Sequence, residues 1–324
     1  MSELPARLAR RVVDGLLLLD KPSGMTSNAA LQRSKWLFQA RKAGHTGSLD
    51  PLASGMLPVC FGEATKFAGY LLNADKVYRV QARFGIRTDT GDAEGRPVET
   101  HERPPVLADE LESAMARLRG PIDQVPPMYS ALKQQGQRLY VLARAGREVH
   151  REARPVTIRE FTVESYDPVT PVLLVRCSKG TYVRTLVEDL AARLGTVGHV
   201  IALRRLAVEP FGGERMYTLG ELEAAAGLST EASLAALDAL LRPLESVLPR
   251  DWPKIDLGAP EAVRVSRGGV VAAPRGLAVG PVGLFAPGRK FLGVGDLNAD
   301  GAIVPRRLVA QNQMTGAGLP VTGL

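Results

Sequence analysis

One acid, Asp50, sits in AGHTGSLDPLASGML (residues 43–57), a run of glycines, small hydroxyl residues and one histidine with no Lys or Arg within seven positions of the carboxylate. Asp followed by Pro can start a helix, the aspartate as N-cap and the proline at the first helical position. Such a carboxylate can also act as a nucleophile or stabilise a cationic transition state without metal or cofactor. Gly44, Gly47 and Gly55 let backbone approach a ligand closely, while His45, Thr46 and Ser48 offer hydrogen bonds without a fixed positive charge. The loop is equipped to wrap something planar and polar.

Arg184 is the second unusual charge. It falls in the first turn of a helix read from TYVRTLVEDLAARLG, where the macrodipole disfavours a cation, so it requires an anionic partner. Glu188, four residues on, is one; Asp50 or an RNA phosphate is another. Tyr182, at the start of that helix, is a candidate for stacking on a base, although packing in the core is the commoner role for tyrosine.

Other chemistries lack their residues. There is no GxGxxG after a strand, no GxxxxGK[ST], no HExxH, no GxSxG and no zinc-deaminase pattern. Cys60 and Cys177 have no CxxC spacing, so neither a disulfide framework nor a zinc site is expected. The acidic turn TDTGDAEG (88–95) has Gly91 and Ala93 where a calcium loop needs ligands, and reads as a solvated turn.

The elements that must position these residues follow from periodicity. GLLLLD (15–20) reads as a buried strand, followed by the turn KPSG and a helix from about 27 to 39. KVYRVQARFG (76–85) alternates, with Tyr78, Val80, Ala82 and Phe84 on the apolar face of a strand. Residues 107–119 give an amphipathic helix, 172–180 a strand and turn, and Val183 to Leu194 a helix closed by Gly195. A helical stretch from Thr218 to Leu241 opens with a capping box from Thr218 and Glu221. Beyond a proline-rich junction near 248–260 come short segments, VRVSRGG among them, that read as an all-β module, sheet or barrel. The last stretch is uncharged, glycine-rich and expected to be disordered.

With 324 residues the chain has the length of two domains, and its 41 Lys and Arg against 34 Asp and Glu favour a polyanionic partner, nucleic acid first. The charge is clustered. Residues 133–154 hold six Lys or Arg against Glu148 and Glu152, and residues 261–309 hold seven against three acids. The apolar GLLLL run is cut by Asp20, so the expectation is a soluble, cytoplasmic protein with no membrane association.

GLLLLDKPSGMTSN, AGHTGSLDPLASGMLPVCFGEATKF, DKVYRVQARFGIRTDTGDAEG, PPMYSALKQQGQRLY, REARPVTI, CSKGTYVRTL and GHVIALRRLAVEPF occur in this order. Together they resemble the TruB family, the bacterial synthases that convert a T-loop uridine of tRNA to pseudouridine. GRKFLGVGDLNADGAIVPRRLV resembles a PUA domain. The resemblance runs from about Gly15 to Val309. It implies an α+β fold, with a mixed, largely antiparallel sheet flanked by helices and a small C-terminal β-barrel. The implied division is a catalytic domain over 10–250 with an RNA-gripping insertion at about 126–154, a PUA-like domain over 251–310, and a tail over 311–324.

The implied reaction needs no cofactor and no metal. The N1–C1′ bond of a flipped uridine breaks and C5 joins C1′, with Asp50 as nucleophile; attack at C1′, attack at C6 and a glycal route all use that carboxylate. By position in the motifs, Tyr78 stacks on the target base and is a candidate for the late proton transfer, and Arg184 pairs with Asp50. His45 fills the space left by the flipped base, and Tyr182 and Leu203 line the uracil pocket. Lys21 and Lys66 match basic positions near the site. The implied partner is tRNA, held at the T-arm and acceptor end by a monomer needing no other protein. Two alternatives stand beside this: a protein that mainly grips or folds tRNA, and a guide-dependent synthase.

Overall fold

The computed structural model describes residues 10–310 apart from 103–104, 131, 135 and 228–229. The tail expected over 311–324 lies outside the described residues.

The chain begins with β1 (Gly15–Lys21), α1 (Ser27–Leu37), β2 (Ala43–His45) and β3 (Ser54–Phe61), then α2 (Ala68–Asn73), β4 (Lys76–Phe84) and a hairpin of β5 (Ile86–Thr88) and β6 (Pro97–Thr100). Next come α3 (Ala108–Ala116) and β7 (Gly120–Gln124). The basic insertion follows as a small hairpin, β8 (Lys133–Gln134) and β9 (Gln137–Arg138), with α4 (Leu139–Arg144). β10 (Arg154–Ser165), β11 (Val172–Cys177), α5 (Val183–Arg193) and β12 (Gly198–Val208) complete the centre. After them lie β13 (Phe211–Gly212), β14 (Tyr217–Thr218), α6 (Leu219–Ala226) and α7 (Glu231–Asp238).

These strands form one sheet in the order β14-β1-β3-β12-β4-β11-β10-β7, with β2 on β3 and β13 on β12. Only the β1–β14 and β12–β3 pairs are parallel. β1 shows why a continuous leucine run suits the sheet. Leu17 and Leu19 face the helices α1, α6 and α7, while Leu16 and Leu18 face Met56, Phe67 and Phe211, so both faces are covered. On β4, Val80, Ala82 and Phe84 enter a third cluster with α3 and α5, and Tyr78 packs at its margin. The α5 face expected from spacing, Val183, Leu186, Val187, Leu190, Ala191 and Leu194, is buried there too.

The stretch 218–241 is two helices. Gly227 at φ 46° closes α6, and Thr230 caps α7, while the capping box of Thr218 and Glu221 forms as expected.

A second sheet follows: β15 (Lys254–Asp256), then α8 (Ala259–Ser266), β16 (Val271–Ala272), β17 (Gly280–Ala286), β18 (Lys290–Leu297) and β19 (Ala302–Leu308). Its order, β15-β17-β18-β19-β16, gives a curled five-stranded half-barrel. The module is not all-β, because VRVS belongs to α8. Alternation suggested a strand, but Pro260 in the first turn and the Glu261 carboxylate on the Gly258 N–H (2.9 Å) start a helix whose Ala262 and Val265 are buried together. Phe285, Phe291 and Val294 of this sheet share a core with Leu16 of β1, the α2 N-cap Phe67 and Leu71 of α2, so the two modules pack through apolar side chains.

Candidate active site

The Asp50 loop leaves β2 and enters β3 as a reverse turn, closed by the Ala53 N–H on the Asp50 carbonyl (3.1 Å). Asp at the first position and Pro at the second suit that turn. No helix follows, so Asp50 is not the N-cap that the Asp-Pro pair suggested. Backbone contacts hold the loop from beneath. Ser27 Oγ accepts from the Leu49 N–H (2.7 Å) and donates to its carbonyl (3.0 Å), and the Gly24 N–H donates to Pro51 (2.8 Å). Gly55, at φ 99°, lies against the Arg205 backbone so closely that a Cβ would overlap it.

Arg184 meets Asp50 across this loop. Its Nε lies 2.9 Å from Asp50 Oδ2, its Nη1 donates to the Thr90 carbonyl (2.6 Å) and its Nη2 to the Tyr129 carbonyl (2.7 Å). Arg184 is 3% exposed, so its dipole-disfavoured position at the start of α5 is offset by one carboxylate and two carbonyls. Asp50 is recessed: 41% of its side chain meets solvent, yet protein crowds its other sides. Burial raises its carboxyl above the ordinary value, Arg184 pulls it down and Asp92 pushes it up.

Asp92 corrects the reading of TDTGDAEG as a solvated turn. It is 3% exposed, its Oδ2 is 3.6 Å from Arg184 Nη1, and its Oδ1 accepts from Thr90 Oγ1 (2.7 Å) and the Glu94 N–H (3.1 Å). The turn is folded against α5 and supplies a second carboxylate to the same guanidinium.

The other residues fall into place unequally. Tyr78 is on β4 opposite Arg205 of β12, its phenol raised by burial and near the Asp50 charge. Tyr182 is the N-cap of α5. Both of its backbone groups are held by the buried Gln124 amide, at 2.7 and 3.1 Å, and its phenol too is raised by burial. Leu203, buried on β12, lines a cleft of about 510 Å³ with Ser23, Gly24, Leu52, Glu94 and Arg204, and the cleft opens beside the Asp50 turn.

His45 ends β2. It is half-buried, its Nδ1 has no partner among the described residues, and burial lowers its pKa, with the Arg205 charge adding to the effect; it is a neutral ring beside the loop. Lys21 is fully buried and its Nζ donates to the carbonyls of Pro22 (2.8 Å), Met25 (2.5 Å) and Pro51 (3.4 Å). Burial lowers it to about 8 despite the charges of Asp50 and Glu94. It braces the loop from inside.

Lys66 is not brought to the site. β3 carries the chain across the sheet for eight residues, roughly 26 Å at ~3.3 Å per residue, before the turn that holds it. There Lys66 pairs with Glu63 (2.6 Å) and donates to the Leu308 carbonyl of β19 (3.2 Å). Among the described residues no group of three His, Cys, Asp or Glu is arranged to hold a metal ion.

An aspartate–arginine pair beside a cleft, with two partly buried phenols near it, suits nucleophilic chemistry on a planar ring. Comparison with known proteins gives the family. Residues 35–183 match the TruB family pseudouridylate synthase (N terminal domain), residues 184–249 the tRNA pseudouridylate synthase B C-terminal domain, and residues 253–309 the pseudouridine synthase II TruB C-terminal domain. Over 302 residues the chain is 52% identical to tRNA pseudouridine synthase B of Ectopseudomonas mendocina (strain ymp), covering 93% of this chain and 96% of that protein. The chain belongs to the TruB family. It is likewise 51% identical to the protein of that name from Nitrosococcus oceani, over 92% of this chain and 95% of that one. Its fold is similar to the archaeal box H/ACA sRNP Nop10–Cbf5 complex, with a TM-score of 0.69 at 22% identity over 94% of this chain and 88% of that chain.

Within this TruB-family fold, Asp92, Gln124 and Arg205 were missed by sequence reading. Nothing local marks a charged or amide side chain for burial; only the pairing of distant strands does. Among the described residues no helix is long and apolar enough to cross a membrane.

Proposed function

We propose that this TruB-family isomerase converts one uridine in the T-loop of tRNA to pseudouridine, acting alone, with Asp50 as the nucleophile. The observation that carries the proposal is the Asp50–Arg184 pair. Arg184 engages Oδ2 and leaves Oδ1 without a partner among the described residues. An ionised carboxylate held by one oxygen is oriented for attack, and partial desolvation strengthens it as a nucleophile.

Reaching C1′ and C5 requires the uridine to leave its stack, at a cost of a few kcal/mol. Leu52 and Leu203 in the cleft and the phenols of Tyr78 and Tyr182 near Asp50 offset that cost, and the neutral His45 ring takes the place of the departed base in the loop. Backbone contacts come from two basic surfaces. On the insertion Lys133, Arg138, Arg147 and Arg154 are exposed, and on the C-terminal module Arg264, Arg267, Arg275, Arg289, Lys290, Arg306 and Arg307 are exposed. The insertion's base is tied to the chemistry, since Tyr129 supplies a carbonyl to Arg184.

The test is a T-arm minihelix incubated with the purified protein and nothing else, followed by mapping of the modified position. Pseudouridine at a single T-loop uridine is the expected result. None formed until a guide RNA or partner protein is added would overturn the stand-alone reading.

A further inference from the structure

Arg205 is 1% exposed, the largest fully buried side chain among the described residues, and no carboxylate among them pairs with it. A buried guanidinium without a counter-charge is costly, so its contacts must be specific. Its Nε donates to the Met56 carbonyl (2.7 Å) and its Nη2 to the Gly47 carbonyl (3.0 Å). Gly47 and Met56 stand on either side of Asp50, so one planar group clamps both ends of the loop. Across the β12–β4 pair Arg205 lies directly opposite Tyr78, so the two side chains stand on one face of the sheet and the cation acts on the phenol.

We infer that Arg205 is a positioning residue for the closing step of the isomerisation, fixing the Tyr78 oxygen against the Asp50 loop so that it can take the C5 proton. This rests on the roles proposed above for Asp50 and Tyr78. Once C5 is joined to C1′, the C5–H bond breaks and its electron pair forms the C5–C6 double bond. The C6–N1 π pair withdraws to N1, which takes a proton from water, and the C5 proton passes to the Tyr78 oxygen as that oxygen releases its own phenol proton to solvent.

The charges around Tyr78 fit that role. The groups facing the phenol are Arg205 on β12, Cys177 on β11 and Asp50 on the loop. Burial raises the phenol, and Cys177 and Asp50 add to the rise; Arg205 opposes it through charge and hydrogen bond. Burial lowers His45, Lys21 and Lys76, and the same cation adds to each of these shifts.

The experiment is single-turnover kinetics on a T-arm minihelix, with the target uridine protiated or deuterated at C5, across pH. It uses the full-length wild type, Arg205→Gln, Arg205→Lys and Asp50→Asn. Normal turnover by Asp50→Asn would sink the reading of the site whatever Arg205 does. If Arg205 acts through Tyr78, Arg205→Gln loses about 10²-fold in rate with RNA affinity kept within about threefold. Deuterium then slows it further, and its rate climbs toward higher pH than the wild type's. Arg205→Lys, which keeps the charge, shows the same isotope sensitivity with about tenfold loss, and carries the test if the Gln variant is unstable. Loss of rate without an isotope effect, with an unshifted pH profile and in step with a lower melting temperature, would reduce Arg205 to a structural clamp and overturn the inference.

Discussion

Arg184 Nε lies 2.9 Å from Asp50 Oδ2, while its other two nitrogens are taken by the carbonyls of Thr90 and Tyr129. The guanidinium is thus a fixed plane between three segments, and Asp50 is aimed by it. Lysine keeps the charge but has no fork. Arg184→Lys is therefore expected to lose about 10²-fold or more in turnover with minihelix affinity changed less than about threefold. Equal losses in both would contradict the pairing as an orienting device.

The acid side of the pH profile should report Asp50. Burial first, then Asp92, holds its carboxyl above the ordinary value, against Arg184 and Lys21. Attack requires the ionised form, so kcat/KM should fall as pH drops through a value above the usual ~4 for aspartate. Asp92→Asn removes a like charge and should move that limb to lower pH; a limb that stays or rises would remove Asp92 from the electrostatics of the site. The stability sign is the reverse of the usual carboxylate. A raised folded-state pKa favours the protonated form, so the contribution is present at low pH and lost as pH rises through it. Asp50→Asn should therefore melt no lower than wild type at neutral pH.

Much of the site was legible before the structure because its signals were local. Asp50 stood out for the lack of nearby cations and Arg184 for its place at a helix start, while alternation put Tyr78 on the apolar face of a strand and only the family resemblance gave it a role. What was not legible depends on strands far apart in sequence. The burial of Asp92 requires the 88–95 turn to fold onto α5, and that of Arg205 requires β12 to lie between β3 and β4. VRVS misled because four residues carry either period, and Lys66 because motif proximity to Asp50 in sequence is undone by the length of β3.

At Gly55 the backbone of β3 lies close against that of β12. Gly55→Ala places a methyl on the Arg205 backbone at φ 99°, and should cost at least about 2 kcal/mol. Thermal denaturation should show a fall of roughly 5 °C or more, with turnover reduced because the loop of Asp50 moves with it. An unchanged melting temperature would mean the strands do not meet there.

The exposed cations of the insertion should act through charge alone. Replacing Lys133, Arg138 and Arg147 by Gln removes exposed cations far from the cleft chemistry, and should weaken minihelix binding while leaving saturated single-turnover rate near wild type. The slope of log affinity against log salt should fall by about one for each phosphate that is no longer neutralised. Retention of the full slope would place the RNA elsewhere.

The most direct test of the account is tritium release from a minihelix whose T-loop uridine is labelled at C5, catalysed by Asp50→Asn beside the wild type. Asparagine keeps the shape of the loop and removes the nucleophile. Release by the wild type and none above background by a variant that melts normally and binds RNA normally is the expected result; release at the wild-type rate would contradict the role assigned to Asp50.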